Sequence, residues 1–399
     1  MITMDLYSKY HLSQILPILF FICWFCACQE QTTKPAKDIW AFNLIFQDSI
    51  QIDDKVRMRL LSTSRDSTQL YSGKIERRGS SSIGFDKHSY EIDLSKDVPL
   101  GKLPTDDDWI LNANYIDKTF MRHVFAYDLF RDMHPNNVAP KTTYVELSLN
   151  HQYQGLYVLM EKLDKSTLGI EDQDEVAVIF KEPPLFRLGE YTPQNPKNYY
   201  QQTFPKKKKD DRTAFIAGVQ NFITNSESSI FSNEIKAIFD MQSVIDWHLL
   251  LLLTNNNDGI LKNFYLYKIN GTTAIRFAPW DYDHSLGRDG DNKLNMIRPL
   301  KIERSTLLQR LLTLDWYKAA LKKRWTELNQ QGIFSLATLQ QRINHYEAIL
   351  KPMVEKNFEK WPVNSRHYYD DNDFATEVTI IRQYLDLRHA QLQEYFQEF

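Results

Sequence analysis

SVIDWHLLLLLTNNNDGILKNFYLYKINGTTAIRFAPWDYD, residues Ser243 to Asp283, reads as a helix, a polar loop, a β-hairpin and an acidic loop. Ser243 followed by Asp246 has the pattern of a capping box, and Val244, Trp247, Leu250 and Leu251 supply an apolar stripe. The helix is expected to run out near Thr254, because Asn255, Asn256 and Asn257 favour turns over helix interiors. Phe264 to Ile269 alternates as a strand and Thr272 to Phe277 returns. Asn270-Gly271 between them supplies the two positive-φ positions of a tight turn. On that register Ile269 pairs with Thr272, Asn263 lies opposite Ala278, and Asp281 comes beside Ile260. Strict pairing is expected to fail at Pro279, which has no N–H to give the ladder. The loops carrying Asp258, Asn263 and Asp281 then leave the hairpin at one end.

Phosphoryl transfer is the chemistry that wants this arrangement. Mg²⁺ takes hard oxygen ligands, usually one or two carboxylates completed by phosphate oxygens and water. A further carboxylate held off the metal can accept the proton of the attacking hydroxyl. Protein kinases place an Asp, an Asn five positions on, a hairpin, and then a metal-binding Asp. Asp258, Asn263 and Asp281 follow that order, with Asp283 close behind. The plainer reading makes Asp258 and Asn263 turn residues and leaves Asp281 and Asp283 solvated. A calcium loop built on Asp281, Asp283, Asp289 and Asp291 fits poorly, since the glycine and terminal glutamate of that loop are absent.

These residues resemble the CotH kinase family of atypical protein kinases, and the likeness runs over roughly residues 40 to 395. Arg78-Gly79-Ser80-Ser81-Ser82 with Lys87-His88-Ser89-Tyr90 is similar to the family's RGNSS…KKSY signature. Trp109-Ile110-Leu111 with Asp117 and Arg122, then Asn150, Gly155, Tyr157 and Glu161, and finally Pro279 to Asp283, continue the ordered series. The resemblance implies a divergent, two-lobed, kinase-like α+β fold, ATP with Mg²⁺ or Mn²⁺ as cofactors, and protein serine as acceptor. Carried over by motif, Asp258 is the catalytic base, Asp281 the principal metal ligand, Asn263 a second, and Asp283 an assistant. Ser80, His88 and His123 depart from the pattern, and His88 stands where the family has a second lysine.

At the nucleotide end, the loop Arg78 to Ser82 lies between strand-like runs Leu70 to Glu76 and Ser89 to Leu94, and its N–H and hydroxyl groups could face phosphate. Its alternative is an ordinary turn whose serines bond their own backbone. The nucleotide-binding candidates are Arg78, Ser80, Ser81, Lys87, Glu161 and Lys181. A lysine inside a strand needs a partner, and Glu161 is the candidate for Lys87; Lys181 competes for the phosphate-contacting role. Arg122, in a helix expected over Lys118 to Met133, has a structural salt bridge with Asp117 or Asp128 as its bland reading.

Lys9 and His11 precede an apolar run, Ile15 to Ala27, too short to span a bilayer. With Ala27-Cys28 and a polar turn behind it, the run resembles a lipoprotein signal with Cys28 as the lipidated residue, or a plain secretion signal. The expected organisation is a signal over residues 1–28, a linker over 29–39, a β-rich lobe over 40–165, and a mostly helical lobe over 166–399 carrying the catalytic loops. Cell-envelope location with a membrane anchor follows from this reading. All three cysteines lie in the signal, so disulfides and thiolate metal sites are excluded from the body. A net charge of −3 gives no support for nucleic-acid binding. The basic run Lys206 to Lys209, answered by Asp210 and Asp211, belongs to a polar stretch from Pro183 to Arg212. Helices are expected over Ser305–Leu314, Trp316–Gln331, Ser335–Phe358 and Thr376–Phe396. The rival to an active kinase is an envelope-anchored binding protein or adhesin that keeps the fold as an inert scaffold.

Overall fold

A computed structural model describes residues 39–398 except 51–53, 172, 186–199, 272–273, 290–293 and 364–369, and leaves the side chain of Ser81 undescribed. Seven strands come first: β1 Trp40–Phe46, β2 Val56–Thr63, β3 Thr68–Arg78, β4 Ser89–Pro99, β5 Thr105–Asn112, β6 Thr142–Leu149 and β7 Gln152–Glu161. They close into a barrel in the order β1-β2-β3-β4-β5-β7-β6, sealed by parallel pairing of β1 with β6. Period-2 alternation fills its interior: Phe42 and Leu44, Val56, Met58 and Leu60, and Trp109 and Leu111 all point inward. In β7 both faces are buried. Tyr157 and Leu159 face the barrel, while Leu156, Val158 and Met160 join a second core. That second core also takes α1 (Arg122–Met133), inserted between β5 and β6.

A four-stranded sheet, in the order β11-β10-β8-β9, carries the motif region: β8 Val178–Lys181, β9 Gln202–Phe204, β10 Phe264–Lys268 and β11 Arg276–Pro279. Around it lie α2 Thr213–Asn225, α3 Ser228–Ile238 and α4 Met241–Thr254. Helices α5 Thr306–Leu312, α6 Asp315–Gln330, α7 Leu336–Lys360 and α8 Phe374–Gln397 complete the chain, within a turn of the helices expected there. The content is therefore α+β, β-rich first and helical last, as read from the sequence; closure of the β-rich part into a barrel was not foreseen. In α4 every residue from Ser243 to Thr254 is buried, as suits a helix that is apolar all round.

Three local readings change. Asp240, not Ser243, caps α4: its carboxylate accepts from Ser243 N–H at 3.1 Å. Ser243 lies inside the first turn, and its hydroxyl accepts from Phe277 N–H at 2.9 Å, tying the helix to β11. Asp246 is fully buried and bonded to Arg324 Nε (2.9 Å) and Asn137 Nδ2 (2.9 Å). The hairpin register is also displaced by two: Phe264 pairs with Pro279 and Tyr265 with Ala278. Pairing reaches Pro279 and beyond, because Trp280 N–H donates to Asn263 O at 2.9 Å. The third change is at the start of α1, which begins at Arg122 rather than Lys118.

Candidate active site

At one end of the sheet the hairpin and α4 are laced together by asparagines. Asn255 ends α4 in the left-handed conformation (φ 53°), and its Nδ2 donates to Arg298 O at 2.7 Å. Asn256 accepts from Gly259 N–H (3.0 Å) and donates to Asp281 O (3.3 Å), so it joins the turn carrying Asp258 to the turn carrying Asp281. Asn263 donates through Nδ2 to the same Asp281 O at 2.8 Å. Its Oδ1 then has no partner among the described residues and is free for a cation. The expectation that one end of the hairpin gathers Asn263 and Asp281, with the Asp258 turn tied in, agrees with this bonding, in a different register.

Asp281 is gripped from behind. Its N–H donates to the Tyr127 hydroxyl at 3.0 Å, and His123 Nε2 lies 3.1 Å from its Oδ1. Its side chain remains 49% exposed, so the carboxylate faces outward from a fixed backbone. Desolvation pushes the Asp281 carboxyl up, but the His123 hydrogen bond and the charges of His123, His284 and Lys181 hold it below the usual range. Desolvation likewise pulls His123 down, and the bond to Asp281 outweighs it, leaving the imidazole above its ordinary value. Asp283 is raised by burial and by the charge of Asp281. A bound cation would relieve the repulsion that the Asp281 charge exerts on Asp283. Asp258 opens a short 3₁₀ turn, Asp258–Ile260, with Oδ2 3.1 Å from Lys262 Nζ.

The donors are hard oxygens: the Asp281 carboxylate, Asn263 Oδ1 and Asp283. Among the described residues no group of three His, Cys, Asp or Glu side chains is arranged to hold a metal. One or two carboxylates and an amide fit Mg²⁺ or Mn²⁺, which keep water and substrate oxygens, better than a metal caged by protein alone.

The nucleotide candidates divide. Arg78 Cζ and Lys181 Nζ each lie 5.9 Å from the centre of the Trp280 ring, next to Asp281. Ser80 is exposed at the head of a 3₁₀ turn, Ser81–Gly84, and the side chain of Ser81 lies outside the described residues. Gly79 (φ 143°) allows this turn: a Cβ there would sit 2.6 Å from Ser82 Oγ.

Lys87 and Glu161 are corrected. Lys87 precedes β4 rather than lying in it, and is only 1% exposed. Its Nζ donates to Ala113 O (2.8 Å), Leu156 O (2.5 Å) and Asn357 Oδ1 (3.1 Å), beneath α7. Glu161 accepts instead from Lys141 N–H at 2.7 Å. No Lys87–Glu161 pair forms, because the barrel wall and α7 claim the lysine.

Arg122 takes its structural role. It bonds Asp117 (2.6 Å) and Glu377 (3.3 Å), and its Nε donates to Ser285 O at 3.0 Å, bracing the loop after Asp283. Residues that sequence reasoning missed are Tyr127 and, as a site group, His123. The i, i+4 spacing of His123 and Tyr127 on α1 was the available signal. Cys28 and the rest of the signal lie outside the described residues. Among the described residues no helix is long and apolar enough to cross a membrane.

Comparison with known proteins gives two matches. The family described as "CotH kinase protein" matches residues 75–392. The chain is also 24% identical over 328 residues to "Inner spore coat protein H" of Bacillus subtilis (strain 168), covering 80% of this chain and 86% of that one.

Proposed function

Because the chain belongs to the CotH kinase family, we propose that it is an ATP- and metal-dependent protein serine kinase, working at the asparagine-laced end of the hairpin sheet. One observation carries the reading: Asn263 Nδ2 bonds the backbone carbonyl of Asp281 at 2.8 Å, tying an amide to the residue whose own carboxylate is half-exposed. Asp281 and Asn263 would hold Mg²⁺ or Mn²⁺, with Asp283 assisting. When bound, the cation supplies charge neutralisation on the transferring phosphate. Arg78 and Lys181 add positive charge at Trp280, the residue before Asp281.

Asp258 has one oxygen paired with Lys262 and the other without a partner among the described residues. That second oxygen accepts the proton of the attacking serine hydroxyl. His123 and Tyr127 hold Asp281 in place, so little reorganisation is needed when charge develops. The loss of a second lysine at His88 does not empty the site of cations, since Lys181 acts on Asp281 by its charge and Arg78 lies at the same Trp280 ring. A two-lobed, kinase-like architecture is part of the same proposal, with the barrel as the first lobe.

Labelled ATP with Mn²⁺ and the purified chain, beside Asp258→Ala and Asp281→Ala, tests it. Wild type should transfer label and both variants should lose it by about 10²-fold or more. Equal label in all three would leave the inert scaffold as the function.

A further inference from the structure

Behind its acids, the loop from Asp281 to Arg288 is pinned at Ser285. Ser285 O accepts twice, from Arg122 Nε at 3.0 Å and from Arg288 N–H at 3.1 Å. Ser285 Oγ donates to Tyr282 O at 2.6 Å, between Asp281 and Asp283. Leu286 follows in the left-handed region (φ 48°), its N–H donating to Thr254 O at 2.8 Å. A buried leucine gains no side-chain hydrogen bond there, so its surroundings impose that conformation.

Both arginines run on to one carboxylate. Glu377, in the first turn of α8, is only 1% exposed. It accepts from Arg122 Nη2 (3.3 Å), from Arg288 Nε (3.3 Å) and from Arg288 Nη2. Through their Nη1 atoms the arginines also pair with Asp117 (2.6 Å) and Asp370 (2.7 Å), so Glu377 is the carboxylate they share. Lys118 Nζ lies 3.6 Å from Glu377, and Asn372 Nδ2 donates to it at 3.2 Å. Desolvation pushes Glu377 up, but Arg122, Arg288 and Lys118 hold it below the usual glutamate range. The loop also packs on the same helix: a Cβ at Gly287 (φ 93°) would sit 3.4 Å from Ile380 Cγ2.

We propose that Glu377 is a positioning residue of the site loop, setting Arg122 and Arg288 so that both donate to Ser285 O and the turn from Asp281 to Asp283 keeps its place. This rests on the reading of that turn as the cation site. Alanine at 377 leaves two buried guanidinium groups without their common acceptor, and a buried charge that loses a partner is costly. The arginines then re-aim, and Ser285 O loses its two fixed donors.

Two readouts test it, each beside a melting curve: hydrogen exchange at the Leu286 and Arg288 amides of the metal-free chain, and Mn²⁺ titration with ATP. Glu377→Ala should speed both amides relative to those of α6 and weaken Mn²⁺ by about 2- to 30-fold, the span for residues that touch neither ligand. Glu377→Gln keeps one acceptor oxygen and should fall between alanine and wild type in both; it decides alone if the alanine variant does not fold. Asp246→Asn weakens another buried pair, with Arg324, and should lower the melting temperature while leaving both readouts unchanged. Equal changes in Asp246→Asn would overturn the positioning role, since any loosening would then suffice. Wild-type exchange in the Glu377 variants, or faster exchange with undiminished Mn²⁺ binding, would overturn it as well. Normal Mn²⁺ binding by Asp281→Ala would instead remove the cation reading, with exchange still reporting whether Glu377 holds the loop.

Discussion

Replacing Lys87 by Met separates a structural lysine from a nucleotide ligand. Methionine keeps the length and volume of the side chain but has no donor. Three acceptors surround Nζ, and Asn357 Oδ1 is still satisfied by Leu156 N–H at 3.1 Å. All three bonds are lost, but Asn357 keeps a donor, so the cost falls on Ala113 O and Leu156 O. At about 1–3 kcal/mol for each buried group left unsatisfied, the gross cost is roughly 2–6 kcal/mol. Relief from burying an ammonium, here against Phe120 and Tyr157 rings at 4.9 and 4.5 Å, offsets part of it. A net loss of about 2–4 kcal/mol is expected.

Its pH dependence carries a second signature. Burial lowers Lys87 well below the ordinary value of 10.5. Between the lowered pKa and 10.5 the unfolded chain binds the proton that the folded chain releases, so Lys87 adds stability as pH rises through that window. Lys87→Met lacks this component, and its deficit should widen with pH. Urea unfolding across pH values, with ATP·Mn²⁺ binding measured on the folded protein, reads both effects. Nucleotide affinity should be unchanged. Undiminished stability together with lost ATP binding would refute the reasoning and return Lys87 to the phosphates.

Two further outcomes are expected. His248 is fully buried, with Nδ1 3.1 Å from the Tyr317 hydroxyl, and burial drops its pKa to about 3. The stability it contributes is present above 6.5 and lost as pH falls toward 3, at about 1.4 kcal/mol per pH unit; His248→Phe should flatten acid-unfolding curves in that range. For the signal, we propose lipid anchoring at Cys28 in the cell envelope. Cys28→Ser should move the protein from the membrane to the soluble fraction and abolish fatty-acid labelling, and an unchanged distribution would leave secretion.

Sequence periodicity revealed what depends on neighbours in the chain. The long helices α6, α7 and α8 were legible because their apolar residues recur at helical spacing over many turns. The hairpin was legible too, but not its register. A displacement of two residues keeps every side chain on its original face, so burial pattern cannot tell the alternatives apart. A Cβ placed at Gly271 would lie 3.6 Å from Val176 Cγ2, a neighbour outside the hairpin that a two-residue turn does not anticipate. Asn263 and Asp281 were found by spacing; the Tyr127 and His123 grips were not, because α1 is more than 150 residues away. Lys87 was misread for the same reason: Asn357, which seals it, is 270 residues distant.

The parallel seam between β1 and β6 bears on how an acceptor protein can be engaged. Extended peptides often bind by lengthening a sheet, main chain to main chain. A cylinder with no first or last member offers no rung for that. In the four-stranded sheet the outermost members are β9, three residues long, and β11, four residues long and packed by α4. If the proposed kinase activity holds, acceptor recognition would therefore fall to side chains around the phosphorylated residue, and peptide arrays should report local residue preferences rather than a requirement for extended length.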